Sequence, residues 1–261
     1  MKNFSAIKNN ILNAGSYAVT HIPNFCMVKI LHLFTLIKIS PKQIQMNFSA
    51  NERTLAQTAS TKSGFFTPNC FIENQDQWEE VKFGLSTMKY SGCEIMAVYN
   101  ALLDLGNEMT ARKMAELITS FEKRGAELSG KWGCSPISIR QYFTSQGYRV
   151  SLTTKANPEA VNSVGANSNS VIITAYNDRN DIRRMIHTIS ITKDAQGNFI
   201  LHNAYKKAND KYTAYGGSKP IKSLWDAIGC MAQGQAAPIC VMGISHPGIP
   251  LSSSCRNPSR C

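Results

Sequence analysis

The chain predicts an α+β fold, helices first and an antiparallel sheet second, on three observations. Apolar residues recur at helical spacing in three successive segments between residues 93 and 147. After Gly147 the pattern becomes that of strands, in short β-branched or aromatic runs separated by turn residues. The 261 residues are 43% hydrophobic and 17% charged, enough to bury about 70 to 75% of the unfolded surface in a real core.

Each element follows from its residues. Ile95, Met96, Tyr99, Leu102 and Leu103 lie on one helical face, so a helix begins at or just after Cys93 and stops at Gly106. Met114, Leu117, Ile118 and Phe121 mark a second, with Thr110 as N-cap and Gly125 as stop. Ser135 and Pro136 are N-cap and first residue of a third, whose apolar face carries Ile139 and Phe143 and which ends at Gly147. Strands are predicted at Tyr148–Thr153, Ser170–Tyr176, Ile186–Thr192 and Asn198–Asn203. A last helix spans Pro220–Met231 and a last strand Ile239–Ile244. Segments 154–170 and 205–220 are read as loops.

Charge divides the chain. Residues 1–63 carry seven basic residues (Lys2, Lys8, Lys29, Lys38, Lys42, Arg53, Lys62) and one acid, Glu52, out of a total net charge of +11. We therefore take residues 1–65 as a basic extension acting as leader, pro-segment or membrane-associated segment, residues 66–247 as the functional domain, and residues 248–261 as a flexible Cys/Ser/Pro tail. An inhibitory pro-segment predicts that removing residues 1–65 raises activity. No dense basic run interleaved with aromatics occurs, and no nucleic-acid motif is found, so nucleic acid is not an expected partner. Residues 22–39 are apolar enough for weak membrane association, but Lys29, His32 and Lys38 interrupt them. A lysine near the centre of a span costs about 2.5–3.5 kcal/mol. Localisation stays open, with a cytoplasmic or membrane-associated protein favoured over a secreted one.

Eight cysteines lie at 26, 70, 93, 134, 230, 240, 255 and 261, without Cys-x-x-Cys and without a histidine at ligand spacing, so neither metal nor cofactor is expected. Cys255 and Cys261 can bridge locally, while Cys230 and Cys240 lie in apolar stretches that suit buried free thiols. Cys93 differs from them. In Tyr90-Ser91-Gly92-Cys93-Glu94-Ile95 a glycine delivers the chain into a helix whose first residue is the cysteine. That position sets the sulfur against unpaired N–H groups and the positive end of the helix dipole, which favours a thiolate.

Far downstream, Ile186-His187-Thr188-Ile189 and Ile200-Leu201-His202-Asn203 flank a turn at Lys193–Gly197. A three-residue loop pairs His187 directly with Asn203, and a four-residue loop pairs it with Ala204. In the first register the two side chains share a face at about 5 Å between Cβ atoms.

A cysteine opening a helix after Ser91-Gly92, a histidine opening a distant strand and an asparagine ending the hairpin partner resemble the papain-like cysteine peptidases. The similarity is closest to the small bacterial branch that includes the leader peptidases of bacteriocin exporters. Trp132-Gly133-Cys134-Ser135-Pro136 leading to Gly147-Tyr148-Arg149-Val150 resembles the Gly-x-x-Pro helix and strand between Cys and His in that branch. The similarity covers roughly residues 75 to 245. It implies a papain-like fold and a peptidase that cleaves peptide or protein substrates through a thioester.

By the same resemblance Cys93 is the nucleophile, His187 the proton carrier and Asn203 the group that orients the imidazole, with the Cys93 N–H as one oxyanion donor. The family's second donor is a glutamine about six residues before the cysteine. Thr87 stands there beside Ser86, the two candidates for the role, and Gln77 is further upstream. Glu94 follows the nucleophile where the branch often has glycine. Two further uses of the fold stay open: a non-hydrolytic acyltransferase, and an inactive binding or adaptor domain. Among other residues, His202 should face away from Asn203 as a surface or core polar group, and His246 should sit in a loop. Cys134 reads as structural, Trp132 as groove-lining or core, and Leu224 and Trp225 as core.

Overall fold

The computed structural model describes residues 21–61, 64–177, 186–204, 221–231 and 237–247. It begins with α1 (Asn24–Leu33) and α2 (Pro41–Ala59), the latter capped by Ser40 with Pro41 in its first turn. A small hairpin of β1 (Lys82–Phe83) and β2 (Ser86–Thr87) then leads through one turn, α3 (Met88–Ser91), into α4 (Cys93–Asp104). α5 (Ala111–Arg124) and α6 (Pro136–Ser145) start at the predicted caps, Thr110 and Ser135. The remaining elements are β3 (Arg149–Thr153), α7 (Pro158–Ala166), β4 (Ser170–Tyr176), β5 (Ile186–Lys193), β6 (Phe199–His202), α8 (Leu224–Gly229) and β7 (Ala237–Ser245).

The five longer strands form one antiparallel sheet in the order β3-β7-β4-β5-β6. Both of its faces are covered. Ile172, Met242 and Ile244 pack with α4, α5 and α6, whereas Val171, Ile173, Ile189, Ile191 and Val241 pack with Val161 of α7 and Leu224 and Ile228 of α8. The chain is thus an α+β protein, with a helical N-terminal region and a sheet sequential to it.

Three expectations change. α7 occupies part of the segment read as a loop, because only Val161 and Val164 mark its inward face and the rest is small or polar. Residues 24–59, read as an extension outside the 66–247 domain, pack into its core: Ile39, Ile44 and Leu55 share the cluster of α4 and α5. α2 is further fixed by Asn51, which accepts from the Lys82 N–H at 2.7 Å and donates to its carbonyl at 2.8 Å, and by Asn47, which donates to the Gly84 carbonyl at 2.9 Å. An asparagine-bearing inner face gives no amphipathic stripe to read. The proposed tail at residues 248–261, the 205–220 loop and the first 20 residues lie outside the described residues.

The third change is the hairpin register. Asp194 extends the ladder by accepting from the Gln196 and Asn198 N–H groups, and Gly197 takes φ +77 to close the turn. The pairs become Lys193↔Phe199 and Ser190↔His202, so His187 does not stand directly opposite Asn203 or Ala204.

Within residues 22–39, Met27, Val28 and Leu31 pack inward while Phe25, Leu33, Leu36 and Ile37 are exposed. Among the described residues no helix is long and apolar enough to cross a membrane.

Candidate active site

Cys93 opens α4 because Gly92 permits a tight approach: a Cβ there would lie 2.5 Å from the Met88 carbonyl. The first helical bond is Met96 N–H to the Gly92 carbonyl, so the N–H groups of Cys93, Glu94 and Ile95 have no partner within the helix. The Cys93 side of this turn faces a pocket of about 390 Å³. Met27, Leu31 and Phe34 from the N-terminal region form one wall, and Trp132, Gly133 and Cys134 another. Trp132 is half-exposed at the rim, edge-on to Phe34 with centroids 5.5 Å apart.

The resting thiol is neutral. Burial pushes the Cys93 thiol well above its ordinary range and the Glu94 charge pushes it further, outweighing the Thr188 N–H that lies against the sulfur. The side-chain interaction with Glu94 also favours the thiol form. The thiolate expected from the helix start alone is therefore not the resting state. Glu94 itself is pushed up to about 7 by burial, despite hydrogen bonds from its own N–H, the Cys134 N–H and the Thr188 hydroxyl.

His187 is buried, and burial holds its imidazole down at about 4, against smaller opposing effects of the Asn203 carbonyl and Asp76. Its Nε2 lies 2.8 Å from the Asn203 main-chain oxygen. A carbonyl only accepts, so Nε2 carries the proton and Nδ1 is the basic nitrogen. Asn203 achieves this at φ +59, where the chain leaves β6.

The Asn203 side chain does something else. Its Oδ1 accepts from the Gln75 N–H at 3.0 Å and its Nδ2 donates to Gln75 Oε1 at 3.1 Å. Asn203 thus holds the imidazole by main chain and anchors the 72–77 segment by side chain, where the sequence implied a side-chain contact to His187.

β6 pairing stops at Ser190 opposite His202, and beyond that point the Thr188 main chain meets the Cys93 sulfur. Alternation along β5 sends the side chain of Thr188 toward Glu94, and that of His187 to the face of Ile189 and Ile191. The Thr188 main chain thus meets Cys93 at the edge of the sheet beyond β6, and the Asn203 carbonyl holds His187 at the same edge with its side chain on the face of Ile189 and Ile191, opposite to that of Thr188. Ser86 and Thr87 are not brought there. They line a separate groove with Met46, Asn47 and Lys82, and Ser86 accepts from the Ser91 hydroxyl at 3.0 Å. The reason is the β1–β2 hairpin, which turns both residues toward α2.

His202 is a buried core group, its Nδ1 2.7 Å from Glu73 and its ring stacked on Phe71. His246 Nε2 is 3.0 Å from the Leu105 carbonyl just beyond β7. Leu224 and Trp225 pack in the core beside α7. Cys134 is a buried free thiol lining the Cys93 pocket; Cys26, Cys93, Cys230 and Cys240 are also free, and Cys70 is disulfide-bonded. No group of metal ligands occurs among the described residues.

Sequence reasoning passed over Gln75, Thr188 and Glu127. Gln75 and Thr188 act through main-chain and side-chain groups together, at positions that only the fold brings beside Asn203 and Glu94. Glu127 sits in a turn with Leu128 at φ 45 and Ser129 at φ 58, a fold no local pattern announces. No protein-family model, curated protein or solved structure matches this chain.

Proposed function

We propose that the chain is a papain-like cysteine peptidase acting on peptide or protein substrates. The observation that carries this is His187 Nε2 held at 2.8 Å by the Asn203 carbonyl, one residue from the Thr188 N–H against the sulfur of a helix-opening cysteine. The carbonyl fixes the tautomer in which Nε2 carries the proton and Nδ1 is the basic nitrogen.

In the reaction the Cys93 S–H proton passes to His187 Nδ1 as the sulfur forms its bond to the substrate carbonyl carbon. The oxyanion develops near the first-turn N–H groups of α4. His187 then gives its proton to the leaving nitrogen, the C–N bond breaks, and a thioester on Cys93 remains for water to hydrolyse. A neutral thiol and a neutral imidazole make proton transfer part of the attack step, rather than an event completed beforehand.

The alternative, an inactive binding domain, is favoured by one observation: the His187 side chain lies on the face of Ile189 and Ile191, opposite to the Thr188 side chain that meets Glu94 beside Cys93. Incubation of the full chain with a diverse peptide library, read by mass spectrometry, separates the two. The peptidase reading expects cleavage that disappears in Cys93→Ala. Library peptides that stay intact, or cleavage surviving in Cys93→Ala, would overturn it.

A further inference from the structure

The Cys93 pocket holds two buried acids that the peptide-bond chemistry above does not use. Glu94 is 6% exposed and Glu127 is 2% exposed, and both line the cavity. Each presents one carboxyl oxygen, Glu94 Oε2 and Glu127 Oε1, that has no hydrogen-bond partner. Neither acid joins any ion pair among the described residues, and the nearby Lys131 side chain lies exposed at the same pocket.

The chain is built to keep them there. The turn that carries Glu127 passes through positive φ at Leu128, Ser129 and Gly130, and closes with the Glu127 N–H on the Gly133 carbonyl at 2.9 Å. Gly133, at φ +94, is where the opposite wall touches Glu94: a Cβ would lie 2.6 Å from Oε2. Burial holds both carboxyls toward their protonated forms, and the open oxygens still lack partners that a cationic donor arriving in the pocket would supply while favouring the ionised acids.

The rest of the pocket describes that ligand. Met27, Leu31 and Phe34 on one wall and Trp132 on the other line the same pocket with apolar surface beside the two acids. An aliphatic stem ending in a cation matches it, the stem along the wall and the head between the carboxyls. We propose that this pocket is a specificity subsite for a basic side chain, arginine or lysine, of the peptide whose bond lies over Cys93. The inference rests on the peptidase reading for the identity of the ligand as a peptide. A guanidinium has the advantage of several donors in a fixed fork, enough to satisfy both open oxygens.

Occupancy has a chemical consequence. A cation that takes the Glu94 carboxylate as its partner withdraws that carboxylate from the Cys93 thiol. The influences that hold the thiol in its protonated form then weaken, and the proton becomes available to His187. Substrate recognition and nucleophile release are thereby one event.

Calorimetric titration of the full chain with Nα-acetyl-arginine amide, Nα-acetyl-lysine amide and the neutral Nα-acetyl-norleucine amide tests this without needing turnover. We expect at least one basic amide to bind about ten-fold or more tightly than the neutral one, with the two basic probes showing which head fits. Glu127→Gln and Glu94→Gln, both close in shape, should each reduce that preference to about two-fold or less, and Cys93→Ala should retain it. Equal binding of basic and neutral amides, no binding of any, or a preference unchanged in both glutamine variants would overturn the proposal. Because Cys93→Ala still reads the subsite, a catalytically dead protein with intact basic preference would sink the peptidase reading alone.

Discussion

Replacing Glu94 by glutamine should make the protein more stable at pH 8 and less stable at pH 4. The Glu94 carboxyl has an ordinary value of 4.5 and is pushed to about 7 by burial. Between those values the folded chain keeps a proton that the unfolded chain has released, so wild-type stability falls as pH rises through that window. The difference corresponds to roughly 3 kcal/mol lost by pH 8. The amide introduced by Glu94→Gln would not ionise, and it would keep one oxygen for the Cys134 N–H. Its new NH₂ group would be buried without an acceptor, at a cost of about 1–2 kcal/mol. The variant should therefore gain about 1–2 kcal/mol at pH 8, roughly 2–8 °C in melting temperature for a chain of this size, and lose a similar amount at pH 4. The Glu94 charge also raises Glu127, so its removal acts in the same direction at the second acid. Urea unfolding of both proteins at intervals from pH 4 to 8 makes the comparison. Curves that run parallel from pH 4.5 to 7.5 would refute the buried, proton-holding Glu94.

Four further outcomes follow from the same geometry. Gly133→Ala places a Cβ 2.6 Å from Glu94 Oε2 at φ +94, and should lower stability by about 1–3 kcal/mol, read as a shifted denaturant midpoint. Asn203→Gly keeps the positive φ and the carbonyl on His187 but loses both bonds to Gln75, so amide exchange at Gln75 should accelerate while the His187 ring signal changes little. Deleting residues 1–65 should abolish folding instead of raising activity, because Leu55 and Asn47 leave the core with it; Leu55→Ala alone should cost about 2–5 kcal/mol in chemical unfolding. Iodoacetamide at pH 7.5 should alkylate Cys93 faster in Glu94→Gln than in the wild type, since the carboxylate that holds the thiol protonated is gone; an unchanged rate by peptide mapping would argue against that contact.

Much of the fold was legible because side-chain periodicity reports burial. The three helices from Cys93 to Ser145 carry apolar stripes and clear caps, and their starts fall where Gly92, Thr110 and Ser135 put them. β4 was legible as a run because both its faces are buried. α2 was not, since Asn47 and Asn51 do the inward work that apolar residues usually do. The hairpin register failed for a local reason: the Asp194 side chain gathers two backbone N–H groups and shifts the turn.

The site divides in the same way. That His187 and Asn203 are neighbours could be read by type and spacing, but not the way Asn203 contacts His187, which is through its carbonyl. Nor could the state of the thiol be read, because the helix start argues for a thiolate while burial and Glu94, a tertiary effect and an adjacent charge, decide against it. Glu127 reaches the pocket only by an unusual turn, and no pattern in residues 125–134 foretells it.

The proposed chemistry has Cys93 attacking a peptide carbonyl with His187 as its base. The most direct test quenches the full chain in acid during reaction with an arginine-containing peptide ester and locates any acyl group by peptide mapping. The expected result is a thioester on Cys93, absent in Cys93→Ala and formed at least about 100-fold more slowly in His187→Ala. An acyl group on any other residue, or one that forms on Cys93 at the same rate without the imidazole, would contradict it.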